Sequence, residues 1–179
     1  MKKSLKTLLI VLGAALAVFV IFLLTDPDKT ETDIKKYREF NDYTNELLQN
    51  YDGILPAAIP DGAEDVEYTY SYHGRGDRSF TVLLSYTVDD ALFSSEAERL
   101  GSLASEVRLI DGKRYYICSA DDLDEFFNDE ILDGYTFKIE IAVFDEEDHS
   151  IKYLVSDCQD SLGRPWEVEN VLLPIYSQK

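Results

Sequence analysis

The chain has 179 residues, which is enough for one domain of ordinary size and too few for two comfortable ones. Lys and Arg number 17 against 35 Asp and Glu, so the formal net charge is −18 at pH 7. Because nucleic-acid binding depends on clustered basic side chains, we expect no nucleic-acid partner. The 45% hydrophobic and 12% aromatic residues exclude a disordered acidic tail, so we expect the chain to fold.

The first predicted element is a transmembrane helix over residues 7–25. These 19 residues carry no charge, follow three lysines and precede an acidic stretch. At 1.5 Å per helical residue they would extend over roughly 28 Å, close to the hydrocarbon thickness of a bilayer. No Ala, Ser or Gly lies between Ala17 and Gly53, which argues against a cleaved signal peptide. We therefore predict a single-pass signal anchor in the cell membrane.

The charges on either side of this segment predict its orientation. Residues 1–6 hold the lysines and would form a cytoplasmic tip, which leaves the rest of the chain outside the membrane. Residues 26–32 then read as a short linker, and residues 33–179 as an extracytoplasmic domain. Without the three lysines of the tip, 14 basic residues face all 35 acidic ones, so the exported part has a net charge of −21.

Hydrophobic periodicity predicts an α+β domain built mostly from hairpins. The predicted hairpins pair residues 66–72 with 79–87, 106–110 with 113–119, and 135–144 with 150–158. Helices are predicted over 33–51, 89–104 and 121–132, and an edge strand over 166–172. We expect a mostly antiparallel sheet with two or three helices on one face, in an order that permits a ferredoxin-like split βαβ unit.

Several turns and caps support this assignment. Asp111-Gly112 is the pair favoured in a two-residue hairpin turn. Ser95 and Glu98 have the spacing of a capping box within the predicted second helix.

The chain has two cysteines, Cys118 and Cys158, each near the end of a predicted strand. Outside the membrane they can form one disulfide, which would close a loop of about 40 residues and add roughly 3 to 4 kcal/mol. The alternative is a pair of unconnected buried thiols.

An enzymatic alternative also starts from Cys158. The segment LVSDC, with Arg164 six residues further on, resembles the strand and arginine around the nucleophile of sortases, which are membrane-anchored surface enzymes. That resemblance implies a cysteine transpeptidase or hydrolase with an arginine at the oxyanion. His73 and His149 are the available bases, both in predicted turns, and the predicted helices do not suit the sortase β-barrel.

Other motifs carry weaker functional hypotheses. Arg75-Gly76-Asp77, at a predicted hairpin tip, is the tripeptide read by integrins, although Gly-Asp is also ordinary turn chemistry. The acidic clusters at 121–124 and 145–148 invite a calcium interpretation but lack the EF-hand pattern. His149 and Cys158 lack zinc-ligand spacing. We expect no metal, no cofactor and no catalytic residue.

Residues 55–68, LPAAIPDGAEDVEY, run into an aromatic strand. They resemble a stretch in uncharacterised membrane-anchored or lipoprotein-like ectodomains of Gram-positive bacteria. The resemblance covers about residues 55–100 and implies a bacterial surface location. It implies no activity, because none is established for that group.

These observations favour a binding or interaction module at the bacterial cell surface over an enzyme. Its partners would be the membrane, through the N-terminal helix, and a protein or another envelope component. Alternate tyrosines of the first hairpin form the candidate contact surface, unless they pack under the helices. They are Tyr68, Tyr70, Tyr72 and Tyr86.

Overall fold

Seven strands form the centre of the fold. The structure is a computed structural model that describes residues 11–20, 28–51, 53–74, 78–120, 136–159 and 166–178. The strands are β1 (Lys29–Glu31), β2 (Glu64–His73), β3 (Ser79–Thr87), β4 (Glu106–Ile110), β5 (Lys113–Ala120), β6 (Thr136–Asp145) and β7 (Ser150–Gln159). They form one sheet in the order β1-β2-β3-β7-β6-β5-β4, and every neighbouring pair is antiparallel. The three predicted hairpins are confirmed.

The helical elements in the described ranges are α1 (residues 11–20), a 3-10 turn (Ile34–Lys36), α2 (Asp42–Leu48), α3 (Asp90–Leu103) and α4 (Trp166–Tyr176). Of these, α2 and α3 pack on one face of the sheet and α4 packs on the other. We call the face that packs against α2 and α3 the front face, and the face that packs against α4 the back face.

The front face is aromatic and buried. Along β2, β3 and β7 every second side chain points to it, as strand geometry requires. The fully buried large side chains of this face include Tyr70, Tyr72, Phe80, Tyr86, Tyr153 and Phe144. Phe93 and Leu100 of α3 cover them from one side, and Ile54 and Leu55 of the loop before β2 from another. This face holds the larger core.

The back face has a smaller core, which is centred on β4, β5 and β6. Its strand side chains include Ile110, Tyr115, Ile117, Phe137, Ile139 and Ile141. Val168, Val171, Leu172 and Ile175 of α4 pack on them. The spacing of these four residues places them on one side of a helix, so α4 buries a continuous apolar stripe.

The expected arrangement of helices is wrong in two respects. Helices cover both faces of the sheet rather than one, because the back-face isoleucines also need a cover. The edge strand expected over residues 166–172 is the first part of α4. The predicted helix over residues 121–132 lies outside the described residues.

The split βαβ order is also wrong. That unit contains neighbouring parallel strands, whereas every neighbouring pair among the described strands is antiparallel. β3 lies between β2 and β7, so pairing of β3 with β7 joins the first hairpin to the third in the middle of the sheet.

The helix predicted over residues 33–51 is interrupted. Arg38 has a positive φ of 73°, which ends the 3-10 turn and allows a second start at α2. Its guanidinium donates to the backbone carbonyls of Leu55 and Pro56, at 2.9 and 3.0 Å. A tertiary contact therefore overrides the local helical pattern.

The helix predicted over residues 89–104 is confirmed, but its cap differs from the expected one. Asp89 is the N-cap, and its carboxylate accepts a hydrogen bond from the backbone N–H of Leu92 at 2.9 Å. Ser95 and Glu98 lie inside α3, so they do not form the capping box.

The transmembrane helix expected in the fold is not borne out by the structure. Of the predicted transmembrane helix, the structure describes only α1, whose ten residues extend over about 15 Å, roughly half the hydrocarbon thickness of a bilayer. None of the helices in the described ranges combines the length and the apolar character needed to cross a membrane. Residues 1–10 and 21–27 lie outside these ranges. The orientation, the membrane association and the extracytoplasmic location stay predictions.

The predicted linker over residues 26–32 is partly a strand. β1 pairs with the end of β2, and Lys29 lies opposite Tyr72. The Asp28 carboxylate accepts a hydrogen bond from the backbone N–H of Gly74 at 3.1 Å. This segment therefore forms an edge of the sheet rather than a free connection.

Candidate functional site

A groove of about 320 Å³ opens on the back face beside α4. Its floor comes from β2, β3 and β7, and α4 forms one wall. The side chains that matter for its chemistry are Glu67, Thr69, Leu83, Ser85, Lys152 and Asn170. A volume of this size lies at the lower end of the range of pockets that hold small molecules.

The groove exists because one helix cannot cover the back face. A helix is about 10 Å wide and neighbouring strands lie about 4.8 Å apart, so α4 cannot cover all seven strands. It covers the apolar side chains of β4, β5 and β6, and Leu154 of β7. The adjoining part, over β2 and β3, presents hydroxyl and charged side chains, which tolerate contact with water.

The strand register aligns three polar residues in one row across the floor. Glu67 of β2 lies opposite Ser85 of β3, and Ser85 lies opposite Lys152 of β7. At about 4.8 Å per strand, the backbones of Glu67 and Lys152 are roughly 10 Å apart. An acid, a hydroxyl and a base therefore follow one another across the groove.

Lys152 differs from six other basic residues in the described part of this acidic chain. Lys36, Arg99, Arg108, Lys113, Arg114 and Lys138 each form an ion pair with a carboxylate. Within the described ranges, Lys152 contacts no carboxylate, no carbonyl and no aromatic ring, and its side chain is exposed in the groove. The sheet thus presents an uncompensated positive charge to whatever enters.

The expected tyrosine surface is wrong. Tyr68, Tyr70, Tyr72 and Tyr86 are all buried on the front face, with at most 5% of each exposed. The alternative reading, that they pack under the helices, is correct. Sequence alternation identified the right set of side chains but could not show which face the rest of the chain would cover.

A buried hydrogen-bond network links these tyrosines to α3. The hydroxyls of Tyr86 and Tyr153 are 2.8 Å apart, and Tyr153 donates to the Glu96 carboxylate at 2.5 Å. Arg99 holds the same carboxylate and donates to the backbone carbonyls of Gly53 and Ile54. Burial raises the pKa of Tyr86 to about 12 and raises the pKa of Tyr153 as well.

This hydrogen-bond network stabilises the fold rather than forming a ligand site. The adjacent cavity, lined by Tyr86 and Glu96, measures about 60 Å³, which is room for only about two water molecules. Arg99 uses its remaining donors to fasten the loop before β2. Nothing in the sequence pattern singled out this network.

The two cysteines lie in strands that are not neighbours. Cys118 is buried on β5, Cys158 is on β7 opposite Phe137, and β6 lies between the strands. Two strand spacings give roughly 10 Å between the backbones, whereas a disulfide needs Cα atoms about 4.4 to 6.8 Å apart. The register therefore argues against the predicted bond, and the described residues contain no disulfide.

The proposed sortase-like residues are not brought together in the described part. His149 is in the turn before β7, nine residues before Cys158, and its Nδ1 is 3.0 Å from an Asp90 carboxylate oxygen. His73 ends β2, with its Nδ1 3.9 Å from an Asp28 carboxylate oxygen. Arg164 lies outside the described residues, so the cysteine-enzyme alternative stays a prediction.

The acidic turn between β6 and β7 uses its carboxylates internally. Asp145 forms an ion pair with Lys113 at 2.8 Å, and this hydrogen bond lowers the pKa of Asp145. Asp148 accepts a hydrogen bond from the backbone N–H of Ser150. The described ranges contain no group of three acids, histidines or cysteines placed to hold a metal ion. The acidic cluster at 121–124 and the Arg75–Asp77 tripeptide lie outside them.

Comparison of the chain with protein-family models, with curated proteins and with solved structures finds no match. The resemblance of residues 55–100 to bacterial surface ectodomains therefore stays a prediction. Function has to be argued from the groove.

Proposed function

We propose that this chain is a binding module and that the groove beside α4 holds a small ligand with a carboxylate at one end. The observation that carries the proposal is Lys152, an exposed basic side chain that contacts no carboxylate in the described ranges, at the floor of a ligand-sized groove. The cell-surface location and the envelope partner stay predictions from the sequence.

The neighbours of Lys152 support an anionic group at that end. Ser85, next to it in the row, offers a hydroxyl donor, and Asn170 of α4 offers an amide donor from the wall. An ammonium, a hydroxyl and an amide can together satisfy the oxygens of a carboxylate.

Glu67 at the other end of the row restricts the ligand further. It lies one strand beyond Ser85, it is exposed, and no basic side chain in the described ranges pairs with it. Its charge repels a second anionic group and attracts a cationic one. The arrangement best fits a zwitterion of the size of a short peptide, with its carboxylate towards Lys152 and its amino group towards Glu67.

Three small probes test this assignment on the full-length chain. Calorimetric titration compares trialanine with its C-terminal amide and with its N-acetyl form. We expect trialanine to bind, the amide to bind roughly tenfold more weakly, and the N-acetyl form to lose roughly threefold. Equal binding of the free acid and the amide, or no binding of any probe, would contradict the assignment.

A matched pair of lysine variants tests the location. Lys152→Met removes the groove cation, whereas Lys35→Met removes an exposed lysine of the 3-10 turn whose ammonium also forms no ion pair within the described ranges. Both change the net charge equally. We expect only Lys152→Met to weaken trialanine binding, because a general effect of charge would affect both variants alike.

A further inference from the structure

Strand β4 ends the sheet on one side of the described part of the chain, and its composition is unusual for an edge. Val107 and Leu109 are 49% and 69% exposed. The unpaired backbone groups of an open edge can pair with another strand, and exposed apolar side chains there favour such pairing. β1, at the other edge, is only three residues long and offers much less to pair with.

The turn geometry shows which backbone groups of β4 face outwards. Asp111 and Gly112 both have positive φ, 50° and 80°, as in a two-residue type I′ turn. Such a turn makes Ile110 and Lys113 a hydrogen-bonded pair, so Val107 and Leu109 belong to the alternate, non-hydrogen-bonded pairs with β5. Their N–H and C=O groups therefore point away from the sheet.

Two neighbouring side chains of β4 carry opposite charges. Glu106 and Arg108 precede and follow Val107, and their side chains share the face of the strand opposite to that of Val107. They already contact each other, with Arg108 Nε 2.7 Å from a Glu106 carboxylate oxygen. In an antiparallel pair of two β4 strands centred on Val107, each Arg108 lies opposite Glu106 of the other copy. Centring the pair on Arg108 would instead place the two arginines opposite each other.

We propose that β4 pairs antiparallel with β4 of a second copy of this chain, centred on Val107, so that the two sheets become continuous. The two Val107 residues exchange main-chain hydrogen bonds, and their side chains contact each other. Arg108 and Glu106 form two cross-strand pairs, at non-hydrogen-bonded positions where side chains lie closest. This proposal is independent of the groove and its ligand.

Charge reversal tests the pairing on the full-length chain by sedimentation. Arg108→Glu and Glu106→Arg each place like charges opposite one another, so we expect each variant to dimerise at least roughly tenfold more weakly. An equimolar mixture of the two restores opposite charges at every position, and the double variant Glu106→Arg/Arg108→Glu does so within one chain. We expect both to recover the dimer.

Recovery separates pairing from folding. Arg108 also donates to the backbone carbonyl of Ile175 at 3.2 Å, so Arg108→Glu on its own can loosen α4. A loosened fold would not be rescued by mixing with Glu106→Arg chains. A wild-type chain that is monomeric at every concentration, or a mixture that fails to recover the dimer, would overturn the proposal.

Cysteine cross-linking tests the register. Hydrogen-bonded partners in antiparallel strands have Cα atoms about 5.5 Å apart, within reach of a disulfide. We therefore expect Val107→Cys to give a disulfide-linked dimer under mild oxidation beyond the wild-type background. The matched Leu109→Cys sites would lie roughly 14 Å apart and should not cross-link. Cross-linking through position 109 alone would show a different register and overturn the proposed one.

Discussion

The two faces of the sheet differ in how completely the chain covers them. On the front face, α2, α3 and the loop before β2 bury tyrosine and phenylalanine rings from β2, β3, β5, β6 and β7. The hydroxyls of Tyr86 and Tyr153, the Glu96 carboxylate and the Arg99 guanidinium form one hydrogen-bond network there. On the back face, α4 buries the part over β4, β5 and β6, and the groove lies beside it. The main core and the proposed binding groove thus lie on opposite sides of the same strands.

This division follows from strand alternation. Along β3, one set of side chains supplies Phe80 and Tyr86 to the front core, and the other set supplies Leu83 and Ser85 to the groove. A polar change on one set reaches the core, whereas the same change on the other set reaches solvent. Variants on the two faces should therefore have separable effects on the free energy of unfolding and on binding.

The largest effect should come from the front core. Phe144 is fully buried and packs at inclined angles against the rings of Phe93 and Tyr116, at centroid distances of 4.9 and 5.0 Å. Phe144→Ala should lower the free energy of unfolding by about 3 to 5 kcal/mol, because it leaves a cavity that both rings line. Denaturant unfolding of the full-length chain measures this, and a loss below about 1 kcal/mol would show that the front face is loosely packed.

High pH should destabilise the front face next most strongly. Burial raises the pKa of Tyr86 to about 12, whereas a tyrosine in the unfolded chain ionises near 10. Above pH 10 the unfolded state binds fewer protons than the folded state, so stability falls as pH rises from about 10 to about 12. The loss from this one group is about 2 to 3 kcal/mol.

Tyr86→Phe provides the control for this pH effect. The variant lacks the titrating hydroxyl, so its stability should decline less steeply between pH 10 and 12. Unfolding curves at several pH values compare the two chains, with phenolate absorbance as a direct measure of ionisation. Identical slopes for the two chains would mean that Tyr86 ionises normally in the folded state.

Removal of a single hydroxyl from the Tyr86–Tyr153–Glu96 hydrogen-bond network should have a smaller effect. Tyr153→Phe removes the donor to Glu96 and the partner of Tyr86, which should cost about 1 to 2 kcal/mol. Tyr116→Phe is the matched control, since its hydroxyl accepts one hydrogen bond from Arg114, a half-exposed side chain. If thermal unfolding showed that Tyr116→Phe is the more destabilising change, the stabilising role of this hydrogen-bond network would be contradicted.

The hairpins were predictable because their signals are local. Alternating apolar residues and Asp111-Gly112 sufficed to predict β4 and β5. The order of the sheet was not predictable in the same way, since the contact that decides it joins Leu83 to Leu154, far apart in sequence. The split βαβ expectation failed for this reason.

The error at α4 has a different cause. Pro165 and Pro174 bracket residues 166–172 and so favoured an edge strand, yet Val168, Val171, Leu172 and Ile175 have helical spacing. The helical period was present, and the two prolines were given too much weight, since Pro174 lies inside the helix. The polar positions of the groove were also visible as the alternate residues of the first hairpin, but only the cover provided by α4 defines which of them form a site.

The smallest stability effect should come from the groove itself. Lys152 is exposed and has no partner in the described ranges, so Lys152→Ala leaves no buried group unsatisfied and should change the free energy of unfolding by less than about 0.5 kcal/mol. Lys138→Ala is the matched change on the front face. Lys138 lies 3.0 Å from the fully buried carboxylate of Glu140 and donates to the backbone carbonyl of Asn50, so its loss should cost about 3 kcal/mol. Denaturant unfolding of the two variants side by side checks this contrast. Equal losses would mean that the floor of the groove is part of the core, and a binding role for Lys152 would then lose its structural basis.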